Sequence, residues 1–439
     1  MPSSVNVREL VLETLLLITR DGEYSHIALK NVLDKYQYLE KKERAFITRV
    51  VEGTIERMIE IDYIIDQFSK VKVQKMKPVI RTILRSGVYQ IKYMDSVPDS
   101  AVCNEAVKLT AKKGFVNLKG FVNGVLRNIS RNLSKIEYPS ENNLEEYLSV
   151  SYSLPVWLVR QWLSEYDRQT VEQMGTAFFK ERSTCIRCNL DRISKDELVS
   201  ALKTEGVTVA EDSSIPYALY IADYDYLAKL ESFRKGYFYV QDISSMEVAE
   251  WANPEKGDCI IDVCAAPGGK AIHFAEKLCG TGKVLARDLT EYKVRLMEEN
   301  IERSGLQNIE AEKWDATVYD ENKKDEADIV IADLPCSGLG VLGKKTDLKY
   351  KMNPEIQAEL VALQRQILSV VHTYVKPGGK LLYSTCTVHR RENEDNTRWF
   401  LKEYPQFVLV KEQQMLPGVS GGDGFYIAMF QREDISKDE

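Results

Sequence analysis

The sequence predicts a doubly wound α/β domain in its C-terminal half, preceded by an all-helical domain and a small α/β module. From residue 236 onward, short apolar runs alternate with helical patterns, an order typical of a parallel sheet covered on both faces. Before residue 140, apolar side chains recur at helical spacing in long stretches that contain few Gly or Pro. A change in charge between these parts supports their separation.

Three domains are expected, because 439 residues exceed the length of one ordinary domain. Residues 1–140 are predicted to form the helical domain, residues 141–235 a linker with the small module, and residues 236–439 the larger α/β domain. The first part has 23 Lys and Arg against 16 Asp and Glu, a net charge of +7. The rest of the chain carries −14, because the whole sequence carries −7.

Composition excludes several classes of protein. A chain with 44% hydrophobic residues is not disordered, and no run of about 18 apolar residues predicts a transmembrane span. The first ten residues lack a signal-peptide pattern, so a cytoplasmic location with reduced cysteines is expected. Cys185 and Cys188 have the spacing of half a zinc site, but no second pair follows at a suitable distance, so no metal is expected.

Local charge favours a nucleic-acid partner more than the net charge does. Residues 71–140 carry 13 basic and 4 acidic side chains. The basic residues in this segment include Lys112, Lys113, Lys119, Arg127, Arg131 and Lys135. Such a segment can bind a phosphate backbone, or it can simply solvate a helical surface. Charge alone leaves both interpretations open.

Four apolar runs are predicted to be strands of the larger domain: Cys259–Val263, Val284–Ala286, Ile329–Ala332 and Lys380–Tyr383. Helical patterns separate them at Lys270–Leu278, Tyr292–Ser304 and Pro354–Val375. In sheets of this kind, ligands bind outside the carboxyl ends of the strands. The residues that follow each run are therefore the candidates for a site.

A loop of small residues follows the first run and precedes a helix. Its sequence is Cys264-Ala265-Ala266-Pro267-Gly268-Gly269-Lys270. Small side chains let the backbone approach a ligand closely, and the helix N-terminus offers free N–H groups. A nucleotide P-loop would need Gly at position 264 and Ser or Thr at 271, where the chain has Cys264 and Ala271. A nucleoside-type cofactor without a pyrophosphate is the remaining prediction.

Acidic residues at the following strand ends support that cofactor. Asp288 follows the second run, where a carboxylate can accept hydrogen bonds from ribose hydroxyls. Asp315 follows the segment Glu310–Trp314, where an acceptor could bind an adenine amino group. Each could instead cap a helix. Together with Asp262, they make three successive acidic strand ends, which favours cofactor binding.

Two cysteines follow the next two strands. Asp333 and Cys336 lie in the stretch Asp333-Leu-Pro-Cys336-Ser-Gly, and Cys386 follows the run Lys380–Tyr383. Either cysteine alone would be interpreted as a small buried side chain. Two of them at neighbouring strand ends, facing one cleft, predict a reactive site.

These motifs resemble those of the RNA cytosine-5 methyltransferases. The resemblance rests on Asp262–Lys270, Asp333–Gly340, Tyr383–Thr387, Gly236–Ser245 and Asp423–Tyr426. The helical part is similar to the antitermination factor NusB through Ala101–Val107 and Lys119–Asn128. This combination resembles the bacterial 16S ribosomal RNA (cytosine-5) methyltransferases of the Sun/Fmu (RsmB) type over nearly the whole chain.

The resemblance implies a Rossmann-like methyltransferase domain with S-adenosylmethionine as cofactor, preceded by a NusB-like RNA-binding domain. It implies that residues 264–270, Asp288, Asp315 and Asp333 hold the cofactor. The implied substrate is a cytosine of 16S rRNA or a small-subunit precursor, usually numbered 967, with neither DNA nor a membrane as partner. We expect a monomer. The chain departs from the family pattern at Val341–Asp347 and at Arg390-Arg391, which concerns local RNA contacts.

The resemblance also implies the roles of the reactive groups. Cys386 would add to C6 of the cytosine as a thiolate, which makes C5 nucleophilic. Asp333 would hold or protonate N3, and Cys336 would assist the elimination that frees the product. An enzyme of the DNA type would instead use Cys336 as nucleophile. The motifs are also compatible with a different rRNA or tRNA target, and the helical part with a non-catalytic NusB-like assembly factor.

Overall fold

The computed structural model describes residues 6–180, 183–212 and 214–434. The chain forms two compact units, Met1–Phe179 with Leu342–Lys351, and Lys180–Val341 with Met352–Glu439. The three-domain boundaries at residues 140 and 235 stay a prediction. Residues 1–5, part of the stretch that argued against a signal peptide, lie outside the described residues. Across the described ranges, every helix is too short or too polar to cross a membrane.

The first unit is a bundle of helices, which confirms the all-helical prediction for the N-terminal part. Its core is built by apolar side chains at helical spacing, among them Leu15, Ile47, Ile64, Leu84 and Leu126, all of which are fully buried. The helices are α1 (Val7–Thr19), α2 (Ser25–Lys35), α3 (Lys41–Glu56), α4 (Met58–Phe68), α5 (Pro78–Tyr93), α6 (Asp99–Lys112), α7 (Lys119–Arg131), α8 (Leu144–Ser151), α9 (Val156–Glu165) and α10 (Arg168–Phe178).

The second unit begins with a small antiparallel sheet of strand order β2-β3-β1-β4. Its elements are β1 (Thr184–Cys188), α11 (Lys195–Thr204), β2 (Thr208–Glu211), β3 (Ala218–Ala222), α12 (Glu231–Arg234) and β4 (Phe238–Val240). A capping box between Ser194 and Glu197 starts α11. Cys185 and Cys188 both lie buried in β1. The predicted small α/β module is thus present, as a four-stranded sheet with α11 and α12.

The larger sheet has seven strands in the order β10-β11-β9-β8-β5-β6-β7. The strands are β5 (Cys259–Asp262), β6 (Lys283–Asp288), β7 (Ile309–Lys313), β8 (Ala327–Asp333), β9 (Val375–Thr385), β10 (Phe407–Met415) and β11 (Phe425–Arg432). The helices are α13 (Ile243–Ala252), α14 (Gly269–Lys277), α15 (Glu291–Ser304), α16 (Leu348–Lys351), α17 (Pro354–Val371) and α18 (Glu394–Glu403).

The parallel sheet predicted from the four apolar runs is present, but two further strands make the sheet mixed at one edge. Strands β5 to β9 are parallel, as expected for the Rossmann-like domain, but β11 runs antiparallel to both β9 and β10. The cause is the short connection of residues 416–424 between β10 and β11, since a hairpin can join only antiparallel strands. The helix predicted to reach residue 375 ends at Val371, because β9 begins at Val375.

The segment Leu342–Lys351 belongs to the helical unit, although its neighbours in sequence belong to the larger sheet. Asp347 is buried there and accepts hydrogen bonds from the backbone N–H (3.1 Å) and the hydroxyl (2.6 Å) of Ser25. The hydroxyl of Tyr350 donates to the carbonyl of Ile55 at 2.8 Å. The sequence pattern placed this segment in the α/β domain, because contacts so distant in sequence leave no local signal.

A buried arginine links the small sheet to the larger one. Arg187 of β1 is fully buried, and its Nε donates to Oε1 of Gln241 at 2.7 Å. Its guanidinium also pairs with Glu276 of α14 and lies 4.9 Å from the ring centre of Tyr239. Burial lowers the pKa of Arg187 to about 10. Burying the Arg187 charge costs free energy, and its ion pair with Glu276 and its hydrogen bond with Gln241 offset part of that cost.

We predict that Arg187→Ala destabilises the second unit by about 3 kcal/mol, because it leaves the Glu276 carboxylate buried without its cation. Thermal unfolding followed by circular dichroism measures the effect. The matched control is Arg160→Ala, which removes an exposed pair with Glu145 and should cost less than about 1 kcal/mol. Equal midpoints for the two variants would contradict the assigned role of Arg187.

Candidate active site

The parallel strands bring the predicted residues to one edge of the larger sheet. Asp262 at the end of β5 is in register with Ala286 of β6 and with Ile331 of β8. At the end of β8, Asp333 is in register with Ser384 of β9. The loops that follow β5, β6, β8 and β9 therefore converge, as the rule for ligand sites in such sheets expects.

The small-residue loop is anchored by backbone hydrogen bonds to β6. The N–H of Ala265 donates to the carbonyl of Arg287 at 2.8 Å, and the N–H of Ala266 donates to Oδ2 of Asp288 at 3.0 Å. Gly268 adopts a φ of +102°, a left-handed conformation that favours glycine, directly before α14 begins. The loop is thus fixed with the N-terminus of α14 beside it.

Of the three predicted cofactor acids beyond this loop, Asp288 is joined to it through Ala266 and Asp333 through Lys270, whereas Asp315 contacts its own loop. The buried carboxylate of Asp288 accepts from Ala266, from the N–H of Leu289 at 2.8 Å and from Nζ of Lys293 at 2.9 Å. Asp315 is exposed, and its Oδ1 accepts from the N–H (2.9 Å) and the hydroxyl (2.7 Å) of Thr317. The side chain of Asp315 therefore supports its own loop.

Asp262 carries a buried carboxyl group in an unfavourable electrostatic environment. The Asp262 side chain is only 1% exposed. Among the described residues, neither of its carboxylate oxygens has a hydrogen bond of ordinary geometry. The backbone N–H of Cys264 lies nearby. Burial and the charge of Asp333 raise the pKa of Asp262 to about 8. The sequence pattern marked Asp262 only as an acidic strand end, because an unpaired buried carboxylate has no sequence signal.

These residues fit S-adenosylmethionine. The cofactor carries an ammonium and a sulfonium, and an unpartnered buried carboxylate such as Asp262 would be stabilised by a cation. Three donors reach Asp288, and a carboxylate offers about four acceptor positions, so one remains for a hydroxyl. The fixed backbone at Gly268 permits close approach of a nucleoside.

Lys270, which the resemblance assigns to the cofactor, is paired with Asp333. Its Nζ donates to Oδ2 of Asp333 at 2.6 Å, while the hydroxyl of Ser384 donates to Oδ1 at 2.9 Å. Burial lowers the pKa of Lys270, but the negative charge and hydrogen bond of Asp333 outweigh this, and the pKa is raised. The Asp333 carboxylate is therefore held in one orientation between an ammonium and a hydroxyl.

The structure brings the two predicted cysteines into direct contact. Their Sγ atoms are 3.3 Å apart, and both side chains are half-buried. The Cys336 loop is held to the end of β9, because the N–H of Gly340 donates to the carbonyl of Cys386 at 3.1 Å. A Cβ at Gly340 would lie 2.0 Å from the carbonyl oxygen of Gly424, so only glycine fits there.

The environment raises the pKa of Cys336 well above the ordinary range of a thiol. The largest cause is its hydrogen bond with Cys386, followed by burial. The negative charges of Glu392 and Asp333 act in the same direction. Cys336 is therefore held as a neutral thiol beside Cys386.

A further residue, Glu392, was missed by sequence reasoning. Its fully buried carboxylate accepts hydrogen bonds from Ser337, which follows Cys336 directly. A buried glutamate in a loop is indistinguishable in sequence from an exposed one. The sequence feature that could have indicated this residue is the pair Glu392-Asn393, which follows the motif of the second cysteine, Cys386.

Taken together, the α/β fold, the nucleoside-fitting loop and the paired thiols define a Rossmann-like methyltransferase of the two-cysteine type. Residues 249–431 match the family described as 16S rRNA methyltransferase RsmB/F. Residues 5–131 match the NusB family, and residues 154–224 match the ferredoxin-like domain of RsmF/B-like methyltransferases.

Similar proteins extend over the full chain. A "Probable ribosomal RNA small subunit methyltransferase B" of Bacillus subtilis is 34% identical, and the match covers 98% of this chain and 99% of that protein. A protein of the same name from Synechocystis is 30% identical over 98% of this chain and all of its own length. The chain therefore belongs to the ribosomal RNA small subunit methyltransferase B family.

Solved structures agree with the fold. The crystal structure of PH0851 superposes with a TM-score of 0.82 at 24% identity, covering 98% of this chain and 99% of that one. NSun6 from Pyrococcus horikoshii has a TM-score of 0.55 at 23% identity and covers 67% of this chain and 98% of its own.

We predict that Asp262→Asn stabilises the cofactor-free protein at about pH 8 and weakens cofactor binding. The folded-state pKa of Asp262, about 8, lies above its ordinary value, so the folded protein retains a proton that the unfolded chain releases. The carboxyl thus costs increasing stability as the pH rises from about 4 to about 8. The variant should gain roughly 10 °C at pH 8 relative to its gain at pH 5, because nearly three pH units of linkage correspond to about 4 kcal/mol.

Calorimetry with S-adenosylmethionine should show affinity at least about tenfold lower for Asp262→Asn, because the cationic cofactor loses an anionic partner. Asp196→Asn is the control, since Asp196 is exposed, lies outside the proposed cofactor site and should change neither the affinity nor the melting temperature. If Asp262→Asn raised the melting temperature equally at pH 5 and pH 8, the conclusion that Asp262 is costly to ionise in the folded protein would be wrong.

Proposed function

We propose that this chain transfers a methyl group from S-adenosylmethionine to C5 of a cytosine in 16S rRNA, the one usually numbered 967. The observation that carries the proposal is the contact of the two Sγ atoms beside the Lys270–Asp333 pair. Family membership and the names of the full-length relatives support the rRNA substrate. The cytoplasm, where ribosomal subunits are assembled, is the proposed location.

In the proposed mechanism, Cys386 supplies the nucleophile. Its Sγ adds to C6 of the cytosine, and the C5=C6 electron pair then makes C5 nucleophilic. When bound, S-adenosylmethionine would supply the electrophilic methyl group for that carbon, and its sulfonium would leave as a neutral thioether. Asp333, oriented by Lys270 and Ser384, takes up the proton that the Cys386 thiol loses and delivers it to N3 as negative charge develops on the ring.

The second cysteine acts in product release. After methyl transfer, the C5 proton must leave so that its electron pair can re-form the C5=C6 bond and expel the Cys386 sulfur. Cys336, 3.3 Å from that sulfur, assists this elimination. The cytosine reaches the site only when it is unstacked or already single-stranded.

The cofactor is proposed to lie along the loop of residues 264–270. Asp262 would face its cationic groups, and Asp288 would accept a ribose hydroxyl. Asp315 stays a proposed adenine contact, through the part of its carboxylate that Thr317 leaves accessible. Asp333, whose two oxygens are oriented by Lys270 and Ser384, is proposed to serve both the cofactor and the cytosine.

The helical unit offers a basic groove that we propose contacts the RNA backbone. A groove of about 460 Å³ between α6 and α7 is lined by Lys108, Lys119, Arg127 and two asparagines, Asn104 and Asn123. Lys112 and Lys113, which the sequence also suggested, are paired with Glu9. Their charge is thus partly neutralised within the protein, as is that of Lys108 by Glu105, which leaves Lys119 and Arg127 as the stronger candidates for phosphate contacts.

Bisulfite sequencing of total RNA from cells with and without this gene tests the target. We expect one cytosine of 16S rRNA to be protected from bisulfite conversion in wild-type cells. The protection should be lost when the gene is deleted and restored when the wild-type protein is expressed again. Loss of a protected tRNA cytosine instead would contradict the rRNA assignment. No lost methylation anywhere would favour a non-catalytic assembly factor.

The two cysteines should behave differently when replaced. Cys386→Ala is expected to abolish methylation, because it removes the nucleophile. Cys336→Ala should still form the adduct but release it slowly, so a covalent RNA–protein complex should appear on a denaturing gel. If Cys386→Ala forms the complex instead, the roles are reversed and the chain follows the DNA-type mechanism.

The groove predicts a specific change in salt dependence. Lys119→Gln combined with Arg127→Gln should reduce the slope of log affinity against log salt by about 1.5, because two phosphate contacts are lost. Filter binding with a 16S rRNA fragment measures the slope. The control, Lys112→Gln with Lys113→Gln, should change it less. A larger change in the control would place the RNA contact outside the groove.

A further inference from the structure

Glu392 lies in the loop between β9 and α18 and is fully buried. Its Oε2 accepts from the backbone N–H of Ser337 at 3.0 Å, and its Oε1 accepts from the hydroxyl of Ser337 at 2.5 Å. Nδ1 of His389 lies 2.9 Å from Oε1. One carboxylate therefore binds both polar groups of the residue next to Cys336.

A second contact holds the other side of Cys336. Nε2 of Gln364, on α17, donates to Oε2 of Glu392 at 3.0 Å and to the carbonyl of Pro335 at 2.9 Å. Pro335 and Ser337 flank Cys336 on either side. Glu392 and Gln364 thus fix the backbone on both sides of the thiol, in the part of the chain that also carries Cys386.

The Ser337 hydroxyl connects this arrangement to the nucleophile. Since it donates to Glu392, it accepts from the Thr387 hydroxyl, and the two hydroxyl oxygens are 2.7 Å apart. Thr387 follows Cys386 directly. A continuous chain of hydrogen bonds therefore joins the residue after one cysteine to the residue after the other.

Burying a carboxylate is expensive, and an apolar side chain of similar size could fill the space at lower cost. The carboxylate provides two properties that an apolar side chain lacks. It accepts several hydrogen bonds at once, which fixes the Cys336 loop, and its negative charge disfavours ionisation of the nearby Cys336 thiol. Both properties concern Cys336 and neither requires contact with RNA.

We propose that Glu392 is a positioning residue that holds Cys336 against Cys386 and thereby sets the rate at which methylated RNA leaves the enzyme. This inference rests on the proposed function. In the release step, a water molecule accepts the C5 proton and the C5–H electron pair becomes the C5=C6 bond. The C6–Sγ bond breaks with its electron pair on the Cys386 sulfur, to which the neutral Cys336 thiol, 3.3 Å away, donates a hydrogen bond. Glu392 acts on this step through the placement of Cys336.

The experiment is a single-turnover assay with labelled S-adenosylmethionine and a 16S rRNA fragment. In Glu392→Gln, which keeps size but loses the charge and an acceptor, methyl transfer should proceed within about threefold of wild type. Release of free methylated RNA should slow by about tenfold or more, with a covalent complex on a denaturing gel. Glu403→Gln, at an exposed position in α18, is the control and should release product normally.

Two further variants keep the test decisive if Glu392→Gln folds poorly. Ser337→Ala removes one donor to Glu392 and should give the same complex with a smaller delay, about threefold. Glu392→Asp restores the charge and should release faster than Glu392→Gln. A purely structural role would lower the melting temperature and slow both steps together, without accumulating the complex, and that result would overturn the inference.

The inference and the proposed function fail in different ways. If Cys336→Ala accumulates the complex while folded Glu392→Gln and Ser337→Ala release product at the wild-type rate, only the role of Glu392 is wrong. If Cys336→Ala forms no complex and Cys386→Ala stays active, the proposed chemistry itself is wrong.

Discussion

The parallel pairing of β8 with β9 places Asp333 opposite Ser384. The hydrogen bond between these two side chains and the contact between the two cysteines depend on that register. A shift of one residue would turn Asp333 to the other face of the sheet and separate it from its partners. The register also lets the loop after β8 meet the end of β9, where Gly340 donates to the carbonyl of Cys386. The contact between two sulfur atoms is thus a consequence of strand pairing, reinforced by Glu392 and Gln364.

The same edge of the sheet concentrates carboxyl groups at a cost in stability. Asp262 and Asp288 are buried, Asp333 is partly so, and Lys270 offsets mainly Asp333. The Asp262 carboxylate is the clearest sign that the site is built for a cationic ligand, because none of the described residues offers it a hydrogen bond of ordinary geometry. Stability and cofactor affinity are therefore expected to oppose each other at Asp262.

The sequence predicted the strand ends well, because β5, β6, β8 and β9 are apolar runs that stop at a polar or small residue. Contacts between distant residues could not be predicted in this way. The antiparallel β10–β11 pair, the membership of residues 342–351 in the helical unit and the pairing of Lys112 with Glu9 all depend on tertiary packing. The proposed role of Glu392 could not be predicted either, because it depends on tertiary contacts with Ser337 and Gln364.

The central claim is that Cys386 attacks the cytosine while Cys336 stands beside it. RNA with 5-fluorocytidine at the target tests this directly, because fluorine cannot leave as a proton and the adduct persists in the wild-type enzyme. After digestion, mass spectrometry identifies the cross-linked peptide. We expect the nucleotide to be attached to Cys386, and attachment to Cys336 would contradict the claim.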